Sequence, residues 1–181
     1  RSNPHNPTGR LADPDDTAAV WDEAFYPLAA GRWTRGDDAV VVGSLTKLFA
    51  CPGLRVGYVV AADQAMALTL ASHQPEWSVN ALACAIVPEL LGLSDLVAWA
   101  NAITTARAEL VDLLHAHELE PEPSDSNFVL VPNAPGLRTH LALHAVLVRD
   151  TTNFGFAGGV RIAVPDLSGL DRLARALKGY P

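Results

Sequence analysis

The sequence has few cysteines, no long apolar run and no excess of positive charge, and each of these shortages excludes a class of protein. Cys51 and Cys84 are isolated and lack metal-ligand spacing, so we expect reduced, buried thiols rather than a disulfide framework or a zinc site. No window reaches 18 uninterrupted apolar residues, and no basic segment followed by an apolar stretch opens the chain. We therefore expect no membrane span and no signal peptide, and a cytoplasmic location follows by default.

Charge and histidine content exclude two further kinds of partner. The net charge of -7 disfavours nucleic acid as a general partner, although a local basic pocket can still bind a phosphorylated small molecule. His140 and His144 are spaced to share one helix face, but no third ligand of suitable type lies nearby, so we predict no metal site. With 49% hydrophobic and 18% charged residues, the chain has enough apolar material for a sizeable core, which agrees with a soluble enzyme.

A lysine among small, hydroxyl and arginine residues is the most informative feature of the chain. Lys47 lies in residues 43–58, directly after an apolar run, with Ser44 before it and Arg55 after it. An aldehyde cofactor needs an amine that is desolvated enough to react as a neutral nucleophile, and a phosphate needs hydroxyl and guanidinium donors near that amine. The segment therefore predicts a pyridoxal phosphate site, with Lys47 as covalent carrier and with Ser44 and Arg55 at the phosphate.

This segment resembles the cofactor-lysine segment of fold-type I pyridoxal phosphate enzymes, specifically class I and II aminotransferases and their histidinol-phosphate aminotransferase and threonine-phosphate decarboxylase relatives. Other segments resemble the same family in the expected chain order. Residues 3–9, NPHNPTG, match a turn whose second asparagine bonds the ring hydroxyl of the cofactor, which implies that role for Asn6. Residues 20–25, VWDEAF, match a strand end whose aspartate pairs with the pyridine nitrogen, which implies a catalytic and cofactor-binding role for Asp22.

Two arginines near the end of the chain bear on the substrate. Residues 160–164 resemble the small-domain strand whose arginine, here Arg161, forks onto the substrate carboxylate. Residues 148–155 resemble the Arg-Asp-x-x-x-Phe stretch of histidinol-phosphate aminotransferases and threonine-phosphate decarboxylases. The resemblance implies that Arg149 also contacts the substrate, and that the substrate is a small amino compound that often carries phosphate.

The resemblance leaves three functions open. The first is a class I/II aminotransferase. The second is a lyase that decarboxylates threonine phosphate in cobalamin biosynthesis. The third is a non-catalytic half-domain, which the intact set of Asn6, Asp22, Lys47 and Arg55 disfavours because a scaffold has no need for that combination.

Short apolar runs alternate with helical periodicity along the chain, which predicts an α/β fold. Strands are predicted at residues 18–21, 39–42, 56–61, 127–132, 145–149 and 160–164, and helices at residues 62–72, 79–91, 94–117, 136–144 and 167–177. The resemblance implies the pyridoxal phosphate-dependent transferase fold, which is aspartate aminotransferase-like. Residues 1–93 would then be the C-terminal part of the large domain, residues 94–117 a linking helix, and residues 118–181 the small α/β domain.

Two expectations concern what completes the protein. The chain begins inside a motif without an initiating methionine, so we expect a companion N-terminal segment of the same subunit that supplies a glycine-rich phosphate loop and a stacking aromatic. The resemblance also implies a homodimer, in which the neighbouring subunit completes the phosphate site.

The chain departs from the family pattern at two places. Only 12 residues separate Gly9 from Asp22, so little more than a turn fits where relatives have a helix. Phe25 stands where many relatives have a tyrosine, and it cannot donate that residue's hydrogen bond to the ring oxygen.

Overall fold

The computed structural model describes residues 1–36 and 38–180, which form two compact units. Unit 1 comprises residues 1–4 and 12–100, and unit 2 comprises residues 5–11 and the chain from Asn101 onward. The division between the units falls inside the long helix that was predicted as a linker. The domain limits at residues 93 and 117 stay a prediction.

Unit 1 contains a three-stranded mixed sheet and several helices. The strands, in sheet order, are β1 (Val20–Asp22), β2 (Val40–Gly43) and β3 (Tyr58–Val60); β1 and β2 are parallel, and β2 and β3 are antiparallel. The helices are α1 (Tyr26–Ala30), α2 (Leu45–Leu48), α3 (Gln64–Ser72), α4 (Ala81–Gly92) and the start of α5 (Leu96–His115). Trp21, Ala39 and Val41 form a small buried cluster at the sheet.

Local chemistry fixes where these elements begin and how closely they pack. Asp63 caps α3 by accepting a hydrogen bond from Met66 N at 2.7 Å. At the end of β2, a Cβ on Gly43 would lie 2.0 Å from the Tyr58 ring, so only glycine allows β2 and β3 to approach there. The ring is held in place because the Tyr58 hydroxyl donates to Trp33 O at 3.1 Å.

Unit 2 packs helices against a three-stranded antiparallel sheet. The strands are β4 (Phe128–Val131), β5 (Arg149–Asp150) and β6 (Val160–Ala163), in the sheet order β4-β6-β5. The helices are the remainder of α5, α6 (Leu137–Leu143), a 3₁₀ turn (Thr152–Phe154) and α7 (Leu167–Leu177). The core joins both layers and includes Leu110, Leu114, Val129, Leu137, Ile162, Leu173 and Leu177.

The predicted elements are present with shifted ends, apart from one strand and three short helices. The strand predicted at residues 145–149 is wrong over most of its length, because β5 begins only at Arg149. Ala145 instead adopts a φ of 56°, and Val146 N donates to Leu141 O at 3.0 Å, so these residues form the turn that ends α6. The short helices α1, α2 and the 3₁₀ turn were not predicted, because three to five residues show no helical periodicity.

The cysteine prediction is half right. Both thiols are free, as predicted, but Cys84 is exposed and Cys51 is only half-buried. Cys84 is exposed because α4 buries a single residue, Ala83, within the described part of the chain.

No single helix within residues 1–36 and 38–180 is long and apolar enough to cross a membrane. Only α4 and α5 taken together, as a sharply bent pair, meet the requirements of length and composition.

Candidate active site

Three of the predicted cofactor residues lie at one edge of the unit 1 sheet. The parallel strands β1 and β2 end at this edge, and β3 begins there because it runs antiparallel to β2, with Tyr58 opposite Gly43. Asp22 is the last residue of β1, Lys47 lies in α2 just after β2, and Arg55 lies in the loop before β3. The carboxyl ends of parallel strands are where open α/β sheets bind ligands. The topology therefore brings three of the predicted cofactor residues to one edge.

Asp22 has a fixed backbone and an exposed side chain. Its N–H donates to Arg1 O, and its carbonyl accepts from Asn3 N, both at 2.8 Å. One carboxylate oxygen, Oδ1, accepts a hydrogen bond from Ala24 N at 3.1 Å. A carboxylate held in this way can accept a hydrogen bond from a protonated ring nitrogen without any rearrangement of the strand.

The Lys47 side chain is exposed, and its Nζ lies 5.5 Å from the centroid of the Phe25 ring, within the range of a cation–π contact. The neighbouring Tyr26 does not replace the hydroxyl that Phe25 lacks. Tyr26 is buried, and its hydroxyl accepts a hydrogen bond from Arg32 Nε at 2.8 Å. The departure at Phe25 therefore leaves an aromatic face against the lysine in place of a hydroxyl.

Ser44 and Arg55 can donate hydrogen bonds to an anion such as a phosphate. Ser44 is the N-cap residue of α2, and its hydroxyl makes no capping hydrogen bond. Arg55 is exposed, with Nη1 donating to Pro52 O at 3.2 Å, and its backbone has a φ of 48°. Few residues other than glycine adopt that backbone region, so the surrounding contacts must hold it.

Unit 2 contains the other three predicted site residues, two of which are directly bonded. Arg161 Nη1 donates to Asn6 Oδ1 at 2.5 Å, and the guanidinium lies 4.5 Å from the centroid of the Phe128 ring. Burial lowers the pKa of Arg161, and the positive charge of Arg149 lowers it further. This hydrogen bond occupies the amide oxygen of Asn6, so the Asn6 Nδ2 group would be the donor to the oxygen of a ring hydroxyl.

Arg149 and Arg161 occupy opposite positions on β5 and β6. Directly opposed residues of antiparallel strands project on the same face of the sheet. Arg149 is exposed, and its guanidinium lies 5.6 Å from the centroid of the Phe154 ring. Two guanidinium groups therefore lie on one face of this sheet.

The turn that carries Asn6 is anchored by the loop before β4. Asp125 N donates to Gly9 O, and Leu11 N donates to Asp125 Oδ2, both at 2.9 Å. A Cβ on Gly9 would lie 2.1 Å from Ser124 Oγ, and Gly9 has a φ of 79°, so no other residue fits. Residues 12–19 contain no helix, which matches the predicted turn before Asp22.

The histidines do not form a metal site in the described part of the chain. The His140 and His144 rings lie 5.1 Å apart, but His140 Nε2 is hydrogen-bonded to Ala176 O at 2.8 Å. Within residues 1–36 and 38–180, no group of three or more His, Cys, Asp or Glu residues is arranged to hold a metal ion.

Glu23 is a buried acid beside Asp22 that the sequence did not single out. Its carboxylate is inaccessible to solvent and accepts hydrogen bonds from Arg35 N at 3.3 and 3.4 Å. Burial raises the pKa of the Glu23 carboxyl above its ordinary value of 4.5, although hydrogen bonds from Thr34, Arg35 and Asn3 act in the opposite direction.

We predict that Glu23→Gln makes the protein less sensitive to rising pH. Because the folded state raises the pKa of Glu23, its stabilising contribution is complete below pH 4.5 and is lost as the pH rises through the folded-state value. The free energy of unfolding of the variant, measured relative to wild type by urea titration, should therefore increase between pH 4 and pH 7. The exposed Glu76→Gln is the matched control, and a parallel trend in that control would contradict the assignment.

Comparisons with known proteins show the family to which the chain belongs. The family described as aminotransferase class I and II matches residues 2–177. The histidinol-phosphate aminotransferase of Caldanaerobacter subterraneus is 30% identical over 193 residues, which cover 97% of this chain and 55% of that protein. The chain therefore spans about half the length of the curated relatives it matches.

Solved structures give the same result for the fold. The histidinol-phosphate aminotransferase of Clostridium acetobutylicum has a TM-score of 0.86 at 24% identity, covering 99% of this chain and 62% of that one. The L-threonine-O-3-phosphate decarboxylase of Porphyromonas gingivalis has a TM-score of 0.78 at 25% identity, covering 98% and 62%.

The fold is that of part of a pyridoxal phosphate-dependent transferase, which confirms the predicted α/β class. The chain belongs to the class I and II aminotransferase family, as the motifs predicted. The roles of the individual site residues stay predictions.

Proposed function

We propose that the full-length protein is a pyridoxal phosphate-dependent class I/II aminotransferase that moves an amino group to or from an amino acid or a phosphorylated amino compound. The observation that carries the proposal is the placement of Asp22, Lys47 and Arg55 at one edge of the unit 1 sheet. Its similarity to a histidinol-phosphate aminotransferase supports a substrate of this class.

The predicted cofactor residues match pyridoxal phosphate group by group. Lys47 supplies the amine for the aldehyde, and because that amine is exposed in this part of the protein, its desolvation has to come from the bound cofactor and the companion segment proposed below. The exposed carboxylate of Asp22 suits the ring nitrogen. The Ser44 hydroxyl and the Arg55 guanidinium suit the phosphate, and the Asn6 amide suits the ring hydroxyl. When bound, the cofactor supplies an electron sink for carbanion chemistry at the substrate α-carbon.

Each residue then has a defined task in the reaction. With the cofactor bound, Lys47 Nζ would take the proton from the substrate α-carbon as general base and deliver it to the former aldehyde carbon as general acid. Asp22 keeps the ring nitrogen protonated through its negative charge. Arg161 holds the substrate carboxylate by a bidentate fork and so determines which bond at the α-carbon breaks.

The paired arginines of unit 2 support a substrate with more than one negative charge. Arg149 and Arg161 lie opposite each other, and the positive charge of Arg149 lowers the pKa of Arg161. Like charges on opposed positions destabilise a sheet unless an anion neutralises them. A phosphorylated amino compound supplies that anion, and Arg149 is the proposed contact for it.

A threonine-phosphate decarboxylase, such as one of cobalamin biosynthesis, is the second candidate function. The similarity to the decarboxylase of Porphyromonas gingivalis and the same pair of arginines favour it. The two activities differ in which bond at the α-carbon is broken, because either the proton or the carboxylate leaves. The same Lys47, Asp22 and Arg161 serve both.

We also propose a companion N-terminal segment of the same subunit and a homodimer. Unit 1 leaves large apolar side chains exposed in and around α3 and α4, including Trp77 at 95%, Leu68 at 65% and Leu82 at 59%. Apolar surface of this kind marks an interface, and twofold dimers are the commonest closed assemblies of soluble enzymes. The free thiols Cys51 and Cys84 suit a reducing compartment, so we propose a cytoplasmic location.

The test is to assay the full-length protein, loaded with pyridoxal phosphate, on two substrates. Histidinol phosphate with a 2-oxo acid acceptor should give a keto product, and production that depends on the acceptor supports the aminotransferase. Threonine phosphate that releases carbon dioxide without an acceptor identifies the decarboxylase instead. A protein that neither turns over substrate nor carries covalent cofactor would be the non-catalytic half-domain.

A further inference from the structure

Thr46 connects the two segments of unit 1 that carry Lys47 and Arg55. The Thr46 hydroxyl donates to Val56 O and accepts from Val56 N, both at 3.0 Å. The Thr46 backbone N–H also donates to Val56 O, at 3.1 Å. Thr46 directly precedes Lys47 and Val56 directly follows Arg55, so three hydrogen bonds join the two candidate cofactor residues through their chain neighbours.

The backbone around Arg55 needs such support. Arg55 has a φ of 48°, in a region that side-chain-bearing residues adopt only when the surrounding structure holds them there. On the other side of Arg55, Asn80 Nδ2 donates to Leu54 O at 2.8 Å. Both chain neighbours of Arg55 are therefore bonded by side chains, whereas its exposed guanidinium contacts a carbonyl of the same loop, Pro52 O.

We infer that Thr46 is a positioning residue that holds Arg55 in a fixed relation to Lys47. This inference rests on the proposed function, because it assigns the two residues to the aldehyde and the phosphate of one cofactor. The amine and the guanidinium can meet the aldehyde and the phosphate together only if their spacing is set before binding. A preset spacing removes the ordering cost that the cofactor would otherwise bear.

Two other roles for Thr46 make different predictions. If Thr46 bound the phosphate directly, its hydroxyl would have to leave Val56, because that hydroxyl already donates to one backbone group and accepts from another. If Thr46 only stabilised the fold, Thr46→Val would lower the free energy of unfolding and weaken pyridoxal and pyridoxal phosphate binding alike. Thr46→Val removes the hydroxyl and keeps the shape, whereas Thr46→Ser keeps the hydroxyl.

The experiment compares these two variants in the full-length protein with pyridoxal phosphate and with pyridoxal, which lacks the phosphate. Thr46→Val should weaken binding of pyridoxal phosphate about tenfold, because Val56 N loses its acceptor and only one of the three hydrogen bonds between residues 46 and 56 still holds the Arg55 loop. Pyridoxal should bind the variant as it binds wild type. Thr46→Ser should restore the affinity for pyridoxal phosphate to within about twofold of wild type.

A double-mutant cycle with Arg55→Ala tests whether Thr46 acts through Arg55. If it does, adding Thr46→Val to Arg55→Ala should cause no further loss of pyridoxal phosphate affinity. Losses that add in full, or an equal loss for pyridoxal, would overturn the inference.

Hydrogen exchange at the Val56 amide reads the same contact without cofactor. Protection should be lost in Thr46→Val and kept in Thr46→Ser, and equal protection in both would overturn the inference. Because this readout needs no cofactor, it tests the inference separately from the proposed function. The proposed function itself would be contradicted by a wild-type protein that binds no pyridoxal phosphate.

Discussion

Lys47→Ala is expected to lower turnover at least about a thousandfold, because no other group can replace a covalent carrier that is also the proton donor and acceptor. The structure gives this residue a suitable setting. Lys47 lies in α2, directly after β2, with an exposed amine and an aromatic ring 5.5 Å from Nζ. Loss of the absorbance of cofactor attached to lysine should accompany the loss of turnover.

Chemical labelling checks the same assignment in an independent way. This chain contains two lysines, Lys47 and Lys178, and peptide mapping after borohydride reduction of the full-length protein with pyridoxal phosphate distinguishes them from each other and from any lysine of the proposed companion segment. We expect the reduced cofactor on Lys47. Lys178 is exposed at the end of α7 in the other unit, which makes Lys178→Ala a matched control that should keep both the label and the turnover. Label on Lys178 in the wild-type protein would show that the central assignment is wrong.

The family and fold class could be predicted because the motifs contain residues that the backbone requires. Gly9 has a positive φ and touches the side chain of Ser124, and Gly43 lies against the Tyr58 ring. The local geometry at these positions requires glycine, so the motif glycines are visible in a single sequence. The motifs lie in the chain order of the family, and the matching family model covers nearly all of the chain.

The contacts among the site residues could not be predicted, because they join positions far apart in the sequence. Asn6 and Arg161 are 155 positions apart and share a hydrogen bond. Thr46 and Val56 are bonded across ten positions by a hydroxyl that resembles any small polar residue near a phosphate site. Nothing in the local pattern identifies either partner.

The prediction of secondary structure was wrong where a strand-like sequence pattern competed with tertiary contacts. Residues 145–148 form a short apolar run with two valines, which favours a strand. In the structure, the hydrogen bond from Val146 N to Leu141 O extends the end of α6 and delays β5 to Arg149. Glu23 was missed because the motif drew attention to Asp22, although Glu23 continues the alternation of β1 on the side of the buried Trp21.

Arg161 and Arg55 offer a crossed pair of variants that separates substrate binding from cofactor binding. Arg161 donates to Asn6 and lies over Phe128, so its planar guanidinium is oriented before any ligand arrives. A lysine keeps the charge but cannot form the two parallel hydrogen bonds to a carboxylate. Arg55, by contrast, lies in unit 1, and we propose that it binds the phosphate of the cofactor.

Arg161→Lys should therefore weaken substrate binding by about 10- to 150-fold, which corresponds to roughly 1.5 to 3 kcal/mol for charge-assisted hydrogen bonds, and should leave cofactor affinity close to wild type. Arg55→Ala should do the reverse. The measurements are the KM for the amino substrate and the Kd for pyridoxal phosphate in both variants of the full-length protein. Since Asn6 is bonded to Arg161 and is itself assigned to the cofactor ring, a small loss of cofactor affinity in Arg161→Lys is compatible with the assignment. Equal losses of cofactor affinity in the two variants would show that Arg161 does not serve the substrate carboxylate.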